Sequence, residues 1–163
     1  MNVPSKSSLP SEEESVVDAV LGASRVLVAV AARSLAEVAE DVTLTQYRSL
    51  VVLCSRGPQS VATLAEAVGV TPPTASRLCD RLIKRGLIQR RADTHDRRAV
   101  RLAPTSVGRA LVDQVTARRR AEIATLLQAT APEDRKVVAT ALQKLTAAAG
   151  EVPEQEWSTG WDL

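Results

Sequence analysis

The sequence is poor in aromatic and sulfur-containing side chains. Its 163 residues include no phenylalanine, one tyrosine, two tryptophans and two cysteines. The 45% of apolar residues are therefore mostly alanine, valine and leucine, and we expect an aliphatic, largely helical core. A chain of this length fits one domain and can bury a sizeable core.

The patterns of common enzyme classes are also missing. His95 is the only histidine, and neither Cys54 nor Cys79 has a histidine near it in sequence. No Walker motif, glycine-rich phosphate loop or His/Cys metal spacing occurs. We therefore expect no catalytic residue, no metal site and no cofactor, and a protein that is not an enzyme.

Long apolar runs are absent as well. The run from 26 to 32 is bounded by Arg25 and Arg33 and is far shorter than the ~20 residues that span a bilayer. Residues 1–10 lack the layout of a signal peptide. We expect a cytoplasmic protein that does not contact membranes and whose two cysteines are reduced.

Residues 60–102 are the most informative part of the chain. They predict a helix over 61–68, a sharp turn at Gly69 and a second helix over 72–85. The second helix has apolar residues spaced i, i+3, i+7, namely Ala75, Leu78 and Leu82. This spacing leaves the opposite helix face free to enter a DNA major groove, as in a helix-turn-helix.

Basic residues are concentrated in the same part of the chain. The whole chain has a formal charge of only +2, but residues 77–101 contain nine arginines and lysines against three aspartates. Acidic residues cluster instead near the two ends. A basic patch on a helix-turn-helix indicates phosphate binding.

After the second helix the periodicity changes to that of strands. Residues 87–91 and 99–102 are short strand candidates that enclose a polar loop at 92–98. A hairpin in this place is typical of the wing of a winged helix, whose tip can reach a neighbouring minor groove with basic side chains.

Long helical segments flank this module on both sides. Residues 13–40 form one helical pattern, and Thr43 with Gln46 makes a capping box for the next helix. Val42 and Tyr47 stand at the positions of a hydrophobic staple.

Downstream, Thr105 is expected to cap a helix over 106–128. Residues 130–133 form a second capping box for a last helix that ends at Gly150.

A compact winged helix cannot cover the apolar faces of these flanking helices, so we expect a second copy of the chain to cover them. The predicted dimer-interface residues are Val16, Val20, Leu126, Leu127, Leu142 and Leu145. The predicted organisation is a flexible arm (1–12), an N-terminal dimerisation helix (13–41), a winged helix-turn-helix (42–103), C-terminal dimerisation helices (104–150) and an acidic tail (151–163).

Several short motifs resemble one family in order and spacing. They are Thr43-x-x-Gln46-Tyr47-x-x-Leu50, Leu64-Ala65-Glu66, Ser76-Arg77, Leu82-x-x-Arg85-Gly86-Leu87-Ile88, Asp93-x-x-Asp96-Arg97-Arg98 and Thr105-x-x-Gly108. From about residue 16 to 149 the chain resembles the MarR family of transcriptional regulators. The resemblance implies a mainly α fold with a small β-hairpin wing, two chains interlocked through their terminal helices, a pseudo-palindromic operator, and release by a small ligand.

One position departs from the family pattern. Many relatives have Asp-x-Arg-Asp-x-Arg in the wing, and His95 replaces the first arginine here. Arg97 or Arg98 would then have to enter the minor groove, unless His95 is simply an exposed loop residue.

The predicted DNA-binding residues lie mostly at the start of the second helix. They are Ser60, Thr71, Pro73, Thr74, Ser76, Arg77, Arg81, Arg97 and Arg98. Arg77 is expected to contact a guanine or clamp a phosphate, and the sequence leaves both open.

The family resemblance also implies an effector pocket between the DNA-binding and helical parts. Its candidate residues are Tyr47, Arg48 and Val51, with Arg25 or Arg33 from the first helix. An arginine there would suit an anionic aromatic ligand, although Tyr47 alone is explained by the staple.

Two alternative functions remain open. Oxidation of Cys54 or Cys79 could switch DNA binding, or both could be small buried side chains. The winged helix could also serve mainly to bind proteins.

Trp157 and Trp161 in the acidic tail suggest that the tail docks on the protein or on a partner, rather than being disordered.

Overall fold

The computed structural model describes residues 11–93 and 99–157, which form six α-helices, a β-hairpin and a short 3₁₀ turn. In chain order the elements are α1 (Glu12–Val38), α2 (Leu44–Arg56), α3 (Val61–Val68), α4 (Pro72–Lys84), β1 (Ile88–Ala92), β2 (Val100–Pro104), α5 (Ser106–Gln128), α6 (Pro132–Ala148) and the turn Glu154–Glu156. The predicted mainly α fold with one hairpin is confirmed.

The helix-turn-helix forms where the sequence places it. Gly69 ends α3 with φ 70°, in the left-handed region that glycine adopts readily. The inner face of α4 is buried at Ala75, Leu78 and Leu82, as the i, i+3, i+7 spacing predicts. This packing fixes α4 against α3 and leaves the other side of α4 exposed.

Two of the predicted caps are confirmed, and Ser60 forms a third. Thr43 and Gln46 form a complete capping box at α2. Thr105 Oγ1 accepts a hydrogen bond from the Gly108 amide at α5, and Ser60 Oγ accepts one from the Thr63 amide at α3. Each side-chain cap satisfies an amide that the helix itself cannot pair.

The second predicted capping box, at residues 130–133, is wrong. The N-cap of α6 is Ala131, which has no side-chain cap, and Pro132 is the first helical residue. Proline fits this position because its backbone torsion is already helical and it has no amide to satisfy. Thr130 instead accepts a hydrogen bond on its carbonyl oxygen from Arg135 Nε, at 2.9 Å.

The hairpin is antiparallel, with Ile88 opposite Pro104 and Ala92 opposite Val100. Gln59 adds a short bridge to Leu102. The strands run slightly later along the chain than the sequence predicts, so that β2 reaches Pro104. Leu102, Ala103 and Pro104 are buried, which anchors the base of the wing in the core.

The core lies between α2, the helix-turn-helix, the hairpin base and the middle of α5. Its largest fully buried side chains are Leu50, Leu53, Leu64, Leu82, Ile88, Leu102, Val30, Val52, Val112 and Val115. Within the described chain α6 buries no residue, and α1 buries only Val30, Ser34 and Leu35.

By length and composition alone, α1 is also apolar enough to cross a membrane. The absence of a long uninterrupted apolar run therefore does not exclude a helix that is apolar enough to span a bilayer. Alanine and valine around Arg25 raise the mean hydropathy despite the charge.

Candidate nucleic-acid interface

The exposed side of α4 carries most of the predicted DNA-binding residues. Thr71, Pro73, Thr74, Arg77 and Arg81 are exposed, and Ser76 is half-buried. They share this side because the buried Ala75, Leu78 and Leu82 occupy the other one. We call the exposed set, with Lys84, the α4 outer face.

The cations of the α4 outer face are free to meet an anion. Among residues 11–93 and 99–157, Arg77, Arg81 and Lys84 form no ion pair, whereas neighbouring arginines do. Arg90 contacts Asp80 at 2.9 Å, and Arg85 and Arg101 pair with Asp41 and Asp93. A helix face with three unpaired cations attracts phosphates.

The beginning of α4 offers side chains rather than amides. Pro72 and Pro73 have no N–H to donate. The hydroxyls of Thr71 and Thr74 instead hydrogen-bond each other at 2.9 Å. At α3, Ser60 and Thr63 form a similar hydroxyl pair at 2.8 Å. These hydroxyls can donate to phosphate or base-edge acceptors.

The predicted wing-tip residues lie outside the described residues. These are His95, Arg97 and Arg98, within the gap at 94–98. In the described part of the wing, Arg90 and Arg91 of β1 are exposed. The hairpin therefore adds basic side chains to those of α4. The roles of Arg97 and Arg98 stay predictions.

Apart from the helix-turn-helix and the hairpin, a cavity of about 760 Å³ lies between α1, α2, α5 and residues 151–157. Its lining residues are Val28, Ala31, Leu44, Tyr47, Arg48, Val51, Thr116, Arg119, Arg120, Ile123, Ala124, Leu127, Glu151, Glu154 and Trp157. Its size is within the range of small-molecule sites, about 300–1,000 Å³. The apolar lining with a few charged groups suits an amphipathic ligand.

Three of the four residues predicted for an effector pocket line this cavity: Tyr47, Arg48 and Val51. Arg25 does not line this cavity: it is exposed about one helical turn N-terminal to Val28, on the part of α1 that leaves the core. Arg33 pairs with Glu122 of α5 at 2.7 Å instead.

Residues of α5 and of the stretch 151–157 complete the cavity and were not among those predicted for it. Thr116, Arg119, Arg120, Ile123 and Leu127 recur at helical spacing along one side of α5. This periodicity could have been read from the sequence. Leu127, predicted for the dimer interface, is half-buried on the cavity wall.

Two ion pairs join the chain end to the cavity wall. Arg48 Nη1 and Nη2 donate to the two carboxylate oxygens of Glu151, at 2.8 and 2.7 Å, and Arg120 pairs with Glu154 at 2.8 Å. The hydrogen bonds from Arg48 hold the pKa of the Glu151 carboxyl below its ordinary value, although partial burial opposes this shift. The same pair raises the pKa of the Arg48 guanidinium.

Within the described part of the chain, two buried polar atoms among the lining residues have no hydrogen-bond partner. They are the Tyr47 hydroxyl and Arg119 Nε. A buried polar group without a partner is destabilising, so each such group calls for an explanation. A bound molecule with polar atoms would supply the missing partners.

Both cysteines are buried, Cys54 on α2 and Cys79 on α4. Burial raises the pKa of the Cys54 thiol to about 11, against a smaller opposing effect of Arg109. Burial also raises the pKa of the Cys79 thiol, which is fully enclosed at the inner face of α4. Thiols held protonated and out of solvent react slowly with oxidants. In the described part of the chain, no group of three or more His, Cys, Asp or Glu side chains could hold a metal ion.

Comparisons with known proteins point to one family. The family model described as "MarR family" matches residues 42–100. The HTH-type transcriptional repressor MdtR of Bacillus subtilis (strain 168) is 31% identical over 121 residues, which cover 74% of this chain and 78% of MdtR.

Solved structures share the fold. RV1404 from Mycobacterium tuberculosis superposes with a TM-score of 0.81 at 41% identity, covering 89% of this chain and 99% of that one. BpsR from Bordetella bronchiseptica, whose DNA binding is regulated by 6-hydroxynicotinic acid, superposes with a TM-score of 0.62 at 23% identity, covering 85% and 98%.

Proposed function

The chain belongs to the MarR family of DNA-binding transcriptional regulators, and from this premise we propose that it is a ligand-responsive repressor. It binds a pseudo-palindromic operator as a homodimer and is released by an anionic aromatic molecule. The observation that carries the proposal is the α4 outer face, with its three unpaired cations beside a basic hairpin.

The α4 outer face lies in a major groove of the operator. The hydroxyls of Thr71 and Thr74 and the guanidinium of Arg77 are near the beginning of the helix, the part that usually reaches base edges. Arg81 and Lys84 lie further along α4 and contact phosphates. These assignments divide the α4 outer face into a sequence-reading end and a charge-neutralising end.

The homodimer is supported by the apolar side chains that one chain leaves uncovered. The large apolar side chains exposed on α1, on the C-terminal end of α5 and on α6 are Val16, Val17, Val20, Leu21, Val26, Leu27, Val28, Leu126, Val137, Val138, Leu142 and Leu145. A helix such as α6, which buries no residue against the described part of its own chain, gains little stability from packing there. A second copy of the chain has the same exposed apolar side chains. In a two-fold symmetric dimer, each chain covers those of the other.

This second copy also accounts for the apolarity of α1. A helix that could cross a membrane by length and composition equally fits an interface between proteins, since both bury apolar surface. The chain is a member of a DNA-binding family and α1 packs against α5 in the core. We therefore assign α1 to the dimer interface.

Release by a small molecule is supported by the cavity between α1, α2 and α5. The cavity lies between the DNA-binding lobe and the helices assigned to the dimer, so a ligand there can change the spacing of the two α4 helices. Arg48 supplies a cation for a carboxylate, and Tyr47 supplies a free hydroxyl. The regulation of BpsR by 6-hydroxynicotinic acid concerns a molecule of the same chemical class.

The thiol-switch alternative has weaker support, since Cys54 and Cys79 are buried and their pKa values are raised.

The test is binding to the DNA upstream of the protein's own gene, at two salt concentrations and with excess random DNA. The proposal predicts competitor-resistant binding that weakens steeply with salt, because each phosphate contact releases a counterion. Binding no tighter than to random DNA, on this fragment and on a genomic selection, would contradict it. The protein-binding alternative would then be favoured.

A further inference from the structure

Residues 151–157, here called the C-terminal segment, lie against the cavity wall. Four polar contacts hold this end of the chain. Two are the hydrogen bonds from Arg48 to Glu151, and a third joins Arg120 to Glu154. The fourth, just before the segment, is from Arg56 Nη2 to the Gly150 carbonyl at 3.1 Å. Trp157 packs against the core, which confirms docking for this tryptophan; Trp161 lies outside the described residues.

The segment presents the chemistry of the ligand that the cavity suits. Glu151 places a carboxylate on the guanidinium of Arg48, and Trp157 adds an aromatic ring to the apolar lining. The indole N–H is satisfied internally by the Val152 carbonyl, at 3.0 Å. The segment is therefore an aromatic and anionic occupant built into the chain.

The docked segment does not provide hydrogen-bond partners for all the buried polar atoms of the cavity wall. Tyr47 is only 5% exposed, and among residues 11–93 and 99–157 its hydroxyl has no partner while the segment is docked. Arg119 Nε is unpaired as well. A ligand that takes the place of Glu151 on Arg48 and also pairs with either group would gain contacts that the segment lacks.

We propose that the C-terminal segment is an internal competitor: an anionic aromatic ligand binds by displacing Glu151 from Arg48 and Trp157 from the cavity wall. The ligand role rests on the proposed function, and the competition is the new element. Because the docked segment occupies the site, only chains with an undocked segment can bind the ligand. The apparent affinity is therefore the intrinsic affinity multiplied by the fraction of chains in which the segment is undocked.

The experiment uses the full chain with Trp161→Phe, so that Trp157 is the only tryptophan. The probe is 4-tert-butylbenzoate, with uncharged 4-tert-butylbenzamide as its control. Calorimetry measures affinity, and tryptophan emission measures whether Trp157 is docked. Three variants are compared in this background: Glu151→Gln, Arg48→Gln and, as a matched control, Glu156→Gln. Glu156 is exposed in the same segment and forms no ion pair within the described residues.

We expect Glu151→Gln to shift the Trp157 emission to the red and to tighten benzoate binding by up to about fivefold, the effect of one partly exposed ion pair. Glu156→Gln should change neither. Arg48→Gln should also release Trp157, but it should abolish the preference for the benzoate over the benzamide. In the unaltered segment, saturating benzoate should itself shift the emission to the red.

Three results would overturn the competition. The benzoate could bind without any change in Trp157 emission, Glu151→Gln could leave the affinity unchanged, or no variant could bind the benzoate. These failures are separate from failure of the proposed function. If the benzoate displaces the segment but does not weaken operator binding, the competition stands and release by ligand is refuted.

Discussion

Arg48 of α2 and Glu151 of the C-terminal segment form two parallel hydrogen bonds across 103 residues of sequence. This geometry matches the planar guanidinium to both carboxylate oxygens. Both side chains are more than a third exposed, so the pair contributes at most about 1 kcal/mol. Its importance is positional, because it holds the chain end over a cavity that suits a small anion.

The first prediction concerns the pH dependence of this contact. The pKa of Glu151 is lowered in the folded protein, so its contribution is fully present above the ordinary value of 4.5 and is lost as the pH falls through the lowered pKa. In the Trp161→Phe variant, the Trp157 emission should therefore shift to the red below about pH 4.5. Far-UV circular dichroism checks that the helices remain folded.

The same variant with Glu151→Gln is the control, and its emission should be red-shifted at every pH. Emission from the parent that stays constant until the helical signal itself is lost would refute a role for Glu151 in docking.

Arg77→Ala tests the sequence-reading end of the α4 outer face. If Arg77 contacts a base, operator affinity should fall by about 1–3 kcal/mol and preference at one base pair should relax. Arg81→Ala should instead weaken binding to all sequences alike and reduce the salt slope by about one. Arg118→Ala removes an equal charge from the pair with Glu37, away from α4. An Arg77→Ala variant that binds like Arg118→Ala would exclude Arg77 from the interface.

The local part of the fold could be predicted well. Ser60, Thr43 and Thr105 are the caps of α3, α2 and α5, because a short polar side chain satisfies the first free amides of a helix wherever it occurs. Gly69 likewise ends α3 in the left-handed region. Each of these signals depends on residues a few positions apart, so one sequence is enough to recognise them.

The contacts of the chain end could not be predicted in the same way. The Arg48–Glu151 pair joins distant parts of the sequence, and several arginines are equally plausible partners until α2, α5 and the segment are packed. The charge of Arg25 suits an anionic ligand, but Arg25 lies about one helical turn N-terminal to Val28, the first residue of α1 that lines the cavity. At residues 130–133 the capping-box pattern gave a wrong prediction, because α6 begins at Pro132 and has no side-chain cap.

Leu142→Glu tests the uncovered apolar face of α6. Leu142 is 41% exposed and shares one side of the helix with Val138 and Leu145. A buried, unpaired carboxylate in the proposed interface is strongly destabilising. Sedimentation should give twice 17.4 kDa for the parent and 17.4 kDa for the variant. Gln143→Glu adds the same charge on the opposite side of α6 and should remain a dimer; equal masses for both variants would contradict this interface.

Gly108→Ala tests the packing of α5 on the base of the wing. A methyl group at Gly108 would overlap the carbonyl oxygen of Leu87 and press on Leu50. Because backbone cannot move aside as a flexible side chain can, we expect a loss of about 2 kcal/mol or more in the free energy of unfolding, measured by urea denaturation. Gly22→Ala is the control: its nearest neighbour is the flexible Arg25 side chain at 3.8 Å, and it should be neutral or stabilising. Equal effects of the two changes would contradict the close approach.

The central claim is that two α4 helices of a homodimer read two half-sites of one operator. Hydroxyl-radical footprinting, with the operator isolated from genomic DNA by the protein, measures this most directly. We expect two protected segments, related by approximate two-fold symmetry and centred about one helical turn apart, and both should need a higher protein concentration in Arg77→Ala. A single protected segment, or uniform protection without a sequence preference, would contradict it.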